Sequence, residues 1–411
     1  MGRRGGRRAL LGVVLVTGVV LVSAGPAWAE APRPTADPAA PAPSAPRTER
    51  PPQGSAPDGS TVGGERLDTR GVVVTKGAPP LPEIAASGWL VADAGRGAVL
   101  AARDPHGRYY PASTLKALTL LTLAPLLDPM QVVVGTPEDE NTEGSRVGLI
   151  AGGQYPVGFL YLGLMLQSGN DAANALARAA GGTEALLAAM TETAESIGAY
   201  DTVPGSPSGL DVAGQSSSPY DLALIFRELV ENPYTAAVLT TPVAQVPEVP
   251  GRAPGFQIQN ENPLADYPGM LGGKTGFTDA ARHTFVTAAE RDGRRLVVSV
   301  LDTEPLPLRA ADQAALLLDW GFALPPGSDG VGRLVRPADL AADPPRTSPP
   351  ARAVTQSGPV TAAPEDGGVP AWPAGIGLAG VAAVVVGLAV TGRRRNAALS
   401  RGPSPSDRPD R

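Results

Sequence analysis

The chain of 411 residues has no cysteine and only two histidines, His106 and His283. The first absence removes disulfides, thiol nucleophiles and thiolate-bound zinc together. The second leaves no histidine spacing on which a catalytic metal would sit, so zinc-dependent hydrolysis has no ligand set. His106, in Asp104-Pro105-His106-Gly107, reads as an exposed loop residue, and His283 as ordinary packing on a strand. An excess of positive charge is missing too. The 34 Lys and Arg against 40 Asp and Glu give a formal charge of -6 and a pI near 5.2, which argues against nucleic acid as a partner. No internal repeat is present and no cofactor is implied.

Charge is also absent from two apolar runs. Residues 9–22 follow Arg3, Arg4, Arg7 and Arg8 and precede Ala27-Trp28-Ala29, the order of a secretory signal spanning 1–29. Near the other end, no charged residue occurs between Asp366 and Arg393. Within that gap, residues 371–391 are long enough to cross a hydrocarbon core of about 30 Å. Arg393-Arg394-Arg395 supplies the basic flank expected on the cytoplasmic side, leaving 392–411 as a cytoplasmic tail. Residues 30–80 and 326–370 are rich in Pro, Ala, Ser, Gly and charge. They carry too little apolar surface to offset their ordering entropy, and are expected to be disordered linkers. What remains, 81–325, is a folded domain held outside the membrane.

Within that domain, residues 88–92 and 98–101 form a predicted hairpin through Gly95-Arg96-Gly97, and 283–289 with 296–301 a second around Asp292-Gly293. A helix is predicted over 309–320. Residues 113–241 read as helical almost throughout. The stretch 115–127 is apolar nearly all round, as in a helix buried on every side. Residues 182–198 and 219–230 are amphipathic, the latter opened by Ser218 as N-cap and Pro219 in the first turn. Strands at both ends with helices between predict an α+β fold. A helical lobe would be inserted into an antiparallel sheet, with helices from the chain's two ends covering one face.

Three short segments carry chemistry. Ser113 and Lys116 are three residues apart, which puts both side chains on one helical face. A serine hydroxyl needs a neighbouring base to take its proton, and a lysine can serve only if its pKa falls well below about 10.4. Burial and a second cation both lower it; Leu115, Leu118 and Leu121 supply the first and Lys274 the second. Ser168-Gly169-Asn170 breaks two helical stretches. Its Ser168 hydroxyl can relay a proton between Lys116 and a leaving nitrogen, and its Asn170 amide can hold a substrate carbonyl or orient the lysine. Gly272-Gly273-Lys274-Thr275-Gly276 opens a strand whose bare backbone lets a substrate lie along the edge. There Lys274 is expected to stay protonated and attract a carboxylate, with Thr275 hydrogen-bonding it. The backbone N–H groups of Ser113 and Phe277 are candidates for an oxyanion hole. Each segment alone is weak, since Ser-x-x-Lys is mostly helix surface, Ser-Gly-Asn mostly a cap and Lys-Thr-Gly mostly a turn. In this order and context the trio is a strong signal.

On Tyr110-Pro111-Ala112-Ser113-Thr114-Leu115-Lys116, Ser168-Gly169-Asn170-Asp171-Ala172, Ser208-Gly209-Leu210-Asp211 and Gly273-Lys274-Thr275-Gly276-Phe277-Thr278, residues 88–322 resemble the D-alanyl-D-alanine carboxypeptidases. These are the low-molecular-mass penicillin-binding proteins of bacterial envelopes. The resemblance implies a β-lactamase/transpeptidase-like fold. It also implies a serine peptidase that removes the terminal D-alanine of peptidoglycan stem peptides and is acylated by β-lactams. Carried over, Ser113 is the nucleophile, Lys116 the general base, Ser168 the proton relay and Lys274 the carboxylate anchor. The chain departs from the family in Leu115, where threonine is usual, in Ala281-Arg282-His283, where a glycine is common, and in lacking a membrane-proximal β-domain. A class A β-lactamase would add a glutamate; Glu228-Leu229-Val230-Glu231-Asn232 has the right Glu-to-Asn spacing but reads as a solvated helix end. A non-catalytic wall-binding or β-lactam-binding module would have lost a catalytic residue, and here the whole set is present.

Overall fold

The computed structural model describes Ala56 and residues 60–342. The predicted signal at 1–29, the span at 371–391 and the tail at 392–411 lie outside the described residues. Among the described residues, no helix is long and apolar enough to cross a membrane.

In chain order the elements are strands β1 (Val72–Val74), β2 (Gly88–Asp93) and β3 (Ala98–Arg103), a 3-10 turn over Ala112–Leu115, helix α1 (Lys116–Leu123), β4 (Val132–Val134), α2 (Pro137–Glu140), β5 (Gln154–Pro156), α3 (Val157–Leu166), α4 (Asn170–Ala179) and α5 (Thr183–Ser196). Then come α6 (Pro219–Glu231), α7 (Pro233–Thr240), β6 (Val243–Val246), β7 (Phe256–Gln259), β8 (Met270–Thr278), β9 (Arg282–Arg291), β10 (Arg294–Thr303), α8 (Ala310–Ala323), β11 (Gly332–Arg333) and α9 (Pro337–Ala342).

Seven strands form one sheet in the order β1-β3-β2-β10-β9-β8, with β11 also on β3, and every pairing is antiparallel. All six residues of β2 are buried, as befits a central strand covered on both faces. The β9–β10 hairpin closes through Asp292 and Gly293, both at positive φ (52° and 74°). That is the two-residue turn whose twist suits a hairpin. On one face Ala314, Leu317 and Leu318 of α8 pack over Val91, Leu100, Leu296 and Val298. On the other, α6 lies against the sheet and joins a larger core with α1 and α3–α5. Ser218 caps α6 by accepting from the Asp221 N–H at 3.1 Å.

The sequence expectations fail at the domain's edges. The folded chain begins before residue 81, because Val62 and Leu67 are buried and β1 pairs with β3. It also continues past 325, where β11 pairs with β3, Val331, Leu334 and Val335 are buried, and Arg336 holds Glu231 at 2.9 and 3.0 Å. Composition flagged both stretches as linkers. What orders them is backbone pairing to an open sheet edge plus a few apolar anchors, which composition does not register. No N-terminal helix joins α8 among the described residues. Residues 75–87 instead run without helix or strand, since Pro79, Pro80 and Pro82 bar a helix. Ala78, Leu81, Ile84 and Ala86 still pack on the α8 side. The helical stretch 113–241 is interrupted by the antiparallel pair β4–β5, and a second small pair, β6–β7, follows it. The predicted helix over 115–127 stops at Leu123, leaving Leu126 at 62 % exposure.

Candidate active site

The site lies where the 3-10 turn before α1, the α3–α4 junction, the loop 206–211 and edge strand β8 meet. Ser113 is in the 3-10 turn, and Ala112 before it sits at φ 48°, a left-handed conformation costing an alanine about 1–2 kcal/mol. Surrounding contacts hold it there. The Pro111 carbonyl accepts from Thr114 Oγ1 at 2.5 Å and from Thr284 Oγ1 at 2.9 Å. Gly209, at φ 84°, presses so closely that a Cβ would overlap the Ala112 carbonyl. A Cβ on Gly276 would lie 2.9 Å from the Ser113 amide nitrogen. The backbone of β8 therefore runs directly against the nucleophile's own amide.

Lys116, the first residue of α1, is fully buried. Its Nζ lies 2.9 Å from Ser113 Oγ, 2.8 Å from Asn170 Oδ1 and 2.7 Å from the Ser208 carbonyl. Burial pulls its pKa well below the ordinary value of 10.5, and the charge of Lys274 adds to the fall, against a smaller opposing effect of Asp171. Asn170 is the first residue of α4 and 4 % exposed. Its amide is spent on both sides, accepting from Lys116 and donating to the Glu143 carbonyl at 2.8 Å. Both ends of the amide are thus engaged within the protein.

Lys274 is 2 % exposed, on the same pleat of β8 as Gly272 and Gly276, and donates to the Thr275 carbonyl at 2.8 Å. Burial lowers its pKa to about 7, with Glu261 opposing. Burial thus works against the charge expected of a carboxylate anchor. Thr275 and Phe277 occupy the alternate pleat, paired with Phe285 and His283, and both are half-buried. Ser168 joins α3 to α4 at φ 56°, half-buried, and its hydroxyl makes no hydrogen bond among the described residues. The expected pocket thus holds Ser113, Lys116 and Asn170 in direct contact and Lys274 within electrostatic reach, whereas Ser168 stands apart from their hydrogen bonds.

Sequence reasoning missed several supports. Asp171, fully buried, accepts from the N–H groups of Val147, Gly148 and Leu149 at 2.9, 2.8 and 3.0 Å, fixing the loop under Asn170. The Ser208 carbonyl and Gly209 lie in the Ser-Gly-Leu-Asp segment, visible as a motif yet without a role. His106 is not an exposed loop residue: it is 1 % exposed, with Nδ1 2.9 Å from Asp201 Oδ2 and Nε2 3.1 Å from the Val62 carbonyl. His106, Asp201 and Asp221 have ligand-type atoms within 4.8 Å of one another, and both ring nitrogens are engaged within the protein by Asp201 and Val62. Glu228, weighed as a deacylating glutamate, is engaged with Arg227, and Glu231 in the same segment pairs with Arg336. Arg282 stands at φ 54°, which explains why a glycine suits that neighbourhood. A two-point ion pair with Glu304, at 2.8 and 3.0 Å, holds it there.

With this geometry in hand, comparison with known proteins decides the family. Residues 73–305 match the sequence profile of the peptidase S11 family, D-alanyl-D-alanine carboxypeptidase. The chain belongs to this family. Among S11 relatives, the D-alanyl-D-alanine carboxypeptidase DacB2 of Mycobacterium tuberculosis is 44 % identical over 255 residues, covering 61 % of this chain and 87 % of that protein. DacF of Bacillus subtilis is 30 % identical over 234 residues, covering 55 % of this chain and 59 % of that one. A crystal structure of a D-alanyl-D-alanine carboxypeptidase from Mycobacterium tuberculosis superimposes with a TM-score of 0.61 at 42 % identity, covering 64 % of this chain and 99 % of that one. The Streptomyces K15 DD-transpeptidase gives a TM-score of 0.56 at 28 % identity, covering 60 % and 100 %. The S11 profile begins within β1 and ends just past β10, so it takes in the three chemical segments and leaves out α8.

Proposed function

We propose that the protein is a serine D-Ala-D-Ala carboxypeptidase that removes the terminal D-alanine of peptidoglycan stem peptides through an acyl-enzyme on Ser113. The observation that carries this is the environment of Lys116 Nζ. A neutral amine has two N–H donors and one lone pair. Asn170 Oδ1 and the Ser208 carbonyl accept the two N–H groups, and the lone pair is left for the Ser113 hydroxyl 2.9 Å away. The lysine is thereby shaped as a base.

The substrate lies antiparallel along the free edge of β8, the outermost strand, with its terminal carboxylate toward Lys274 and Thr275. Ser113 Oγ attacks the carbonyl carbon of the penultimate residue as its proton passes to Lys116. The resulting oxyanion takes N–H groups from Ser113 and Phe277, donors typically worth about 2.7–4 kcal/mol each. Collapse breaks the C–N bond, and the proton travels from Lys116 through the Ser168 hydroxyl to the departing amine of D-alanine. Water then hydrolyses the ester. Penicillin enters the same route, its carboxylate and lactam carbonyl standing for those of the peptide. The sequence supports export by residues 1–29 and an anchor at 371–391, so that the enzyme works outside the cytoplasmic membrane.

The test is incubation of the full chain with a peptide ending in D-Ala-D-Ala, scored for free D-alanine, beside intact-mass measurement after penicillin. Released D-alanine and a Ser113 adduct lasting minutes or more are expected. An adduct lost within seconds would make the protein a lactamase, and no adduct would leave a binding module.

A further inference from the structure

The loop 206–211 touches both halves of the site. On the base side, the Ser208 carbonyl accepts from Lys116 and Gly209 is pressed onto Ala112. Three residues after Ser208, Asp211 Oδ1 accepts from Thr278 Oγ1 at 2.8 Å. Thr278 is the last residue of β8, directly after Phe277, and its hydroxyl accepts in turn from the Ala281 N–H at 3.0 Å. Ala281 is 1 % exposed and packs with Tyr110 and Ala112, next to the nucleophile.

The loop is itself stiff. Gln215, 1 % exposed, accepts from the N–H groups of Gly205 and Ser206 at 3.1 and 3.0 Å and donates to the Leu210 carbonyl at 2.9 Å. A stiff loop that holds the base at one end and the tip of an edge strand at the other fixes the distance between them. An edge strand has one neighbour only, so the end of β8 needs this second hold.

We infer that Asp211 is a positioning residue: through Thr278 it sets where the end of β8, and with it the Phe277 amide, stands relative to Ser113 and Lys116. This rests on the carboxypeptidase reading, in which that amide receives the oxyanion. The amide acts only in the transition state, so its misplacement lowers kcat and kcat/KM together and leaves KM nearly unchanged. A purely structural tie would lower the melting temperature and spare the rate.

The experiment measures acylation by a fluorescent penicillin, D-alanine release and melting temperature for the parent, Asp211→Asn, Thr278→Val, Thr278→Ser and the Asp211→Asn/Thr278→Val double variant. Asp211→Asn and Thr278→Val should each slow acylation by roughly ten- to a hundredfold at nearly constant KM. Thr278→Ser, which keeps the hydroxyl, should restore most of the rate, and the double variant should be little worse than either single one because both break one linkage. Parental acylation in Asp211→Asn, a change confined to KM, or a Thr278→Ser as slow as Thr278→Val would overturn the inference. Should Asp211→Asn fail to fold, Thr278→Val against Thr278→Ser decides alone. A parent that neither takes penicillin nor releases D-alanine would bring down the function first and this role with it. A labelled parent beside equally labelled variants brings down only the role.

Discussion

Of the 34 basic residues only three are lysines, Lys76, Lys116 and Lys274, and two of the three are buried at the site. Arginine cannot give up its proton in a protein, so a site that needs a titratable amine must use lysine. Lys116→Arg should therefore abolish penicillin labelling and D-alanine release; labelling that survives would remove the lysine from the base role. Lys274→Arg keeps a cation and should retain part of the activity, chiefly with a raised KM. The pH dependence follows from the two shifts. In the proposed roles Lys116 must be neutral, so activity requires a pH above its lowered pKa, while Lys274 must be charged, which burial limits to below about 7. In kcat/KM, which reports the free enzyme, an alkaline limb near 7 is expected for peptides and for penicillin. A penicillin ester, lacking the carboxylate, should show no such limb; an identical limb for both would remove Lys274 as anchor. The sequence revealed these residues because Ser113 and Lys116 lie within one helical turn and Lys274 within a glycine frame. It could not reveal the Ser208 carbonyl or the three amides on Asp171, since backbone groups have no residue identity and their partners are 92 and 22–24 residues away.

The 3-10 turn is approached more closely than side chains allow by the loop 206–211 at Gly209 and by edge strand β8 at Gly276. Gly209→Ala would meet both the Ala112 carbonyl and a positive φ of 84°, the second alone costing about 1–2 kcal/mol. A lower melting temperature and a large loss of acylation are expected. Gly276→Ala places a methyl against the Thr284 hydroxyl on β9, 2.9 Å from the Ser113 nitrogen and 3.0 Å from the Ala112 Cβ. It should slow acylation more than it lowers stability, because β8 can shift outward at its free edge; unchanged acylation would show that this approach is not what sets the oxyanion geometry. Among elements, the β9–β10 hairpin was legible from Asp292-Gly293 between alternating strands, and α6 from Ser218-Pro219. β1 and β11 were not. Three and two residues long, they carry no periodicity and owe their existence to the β3 edge.

Across the whole molecule, His106 ties the N-terminal segment at Val62 to the body at Asp201. Burial works against its charge, yet the hydrogen bond and charge of Asp201, with Asp221, hold its pKa above the ordinary 6.5. Asp221 is itself raised to about 7 by burial and by the neighbouring Asp201. Around the ring stand Asp201 and Asp221, with Asp104, Arg108 and the tilted ring of Tyr220 nearby. Both shifts are upward, so the folded state holds protons that the unfolded chain releases earlier. Stability from His106 is complete below 6.5 and is lost as pH rises through its higher folded value, and Asp221 acts in the same sense. Melting temperature should therefore fall from pH 6 toward pH 9, and His106→Gln, which cannot titrate, should flatten that slope. An equal slope in both proteins would remove His106 as its source. Nothing in the local sequence foretold this burial, because the segment that covers His106 lies in the stretch whose composition suggested a linker.

The ends of the folded part both join the sheet at β3, through β1 and β11, while β8 forms the opposite margin. From β3 through β2, β10 and β9 to β8 is four inter-strand steps, roughly 19 Å at about 4.8 Å each. A fusion partner, an affinity handle or a solid support joined next to β1 or β11 would therefore start from the margin opposite the catalytic one.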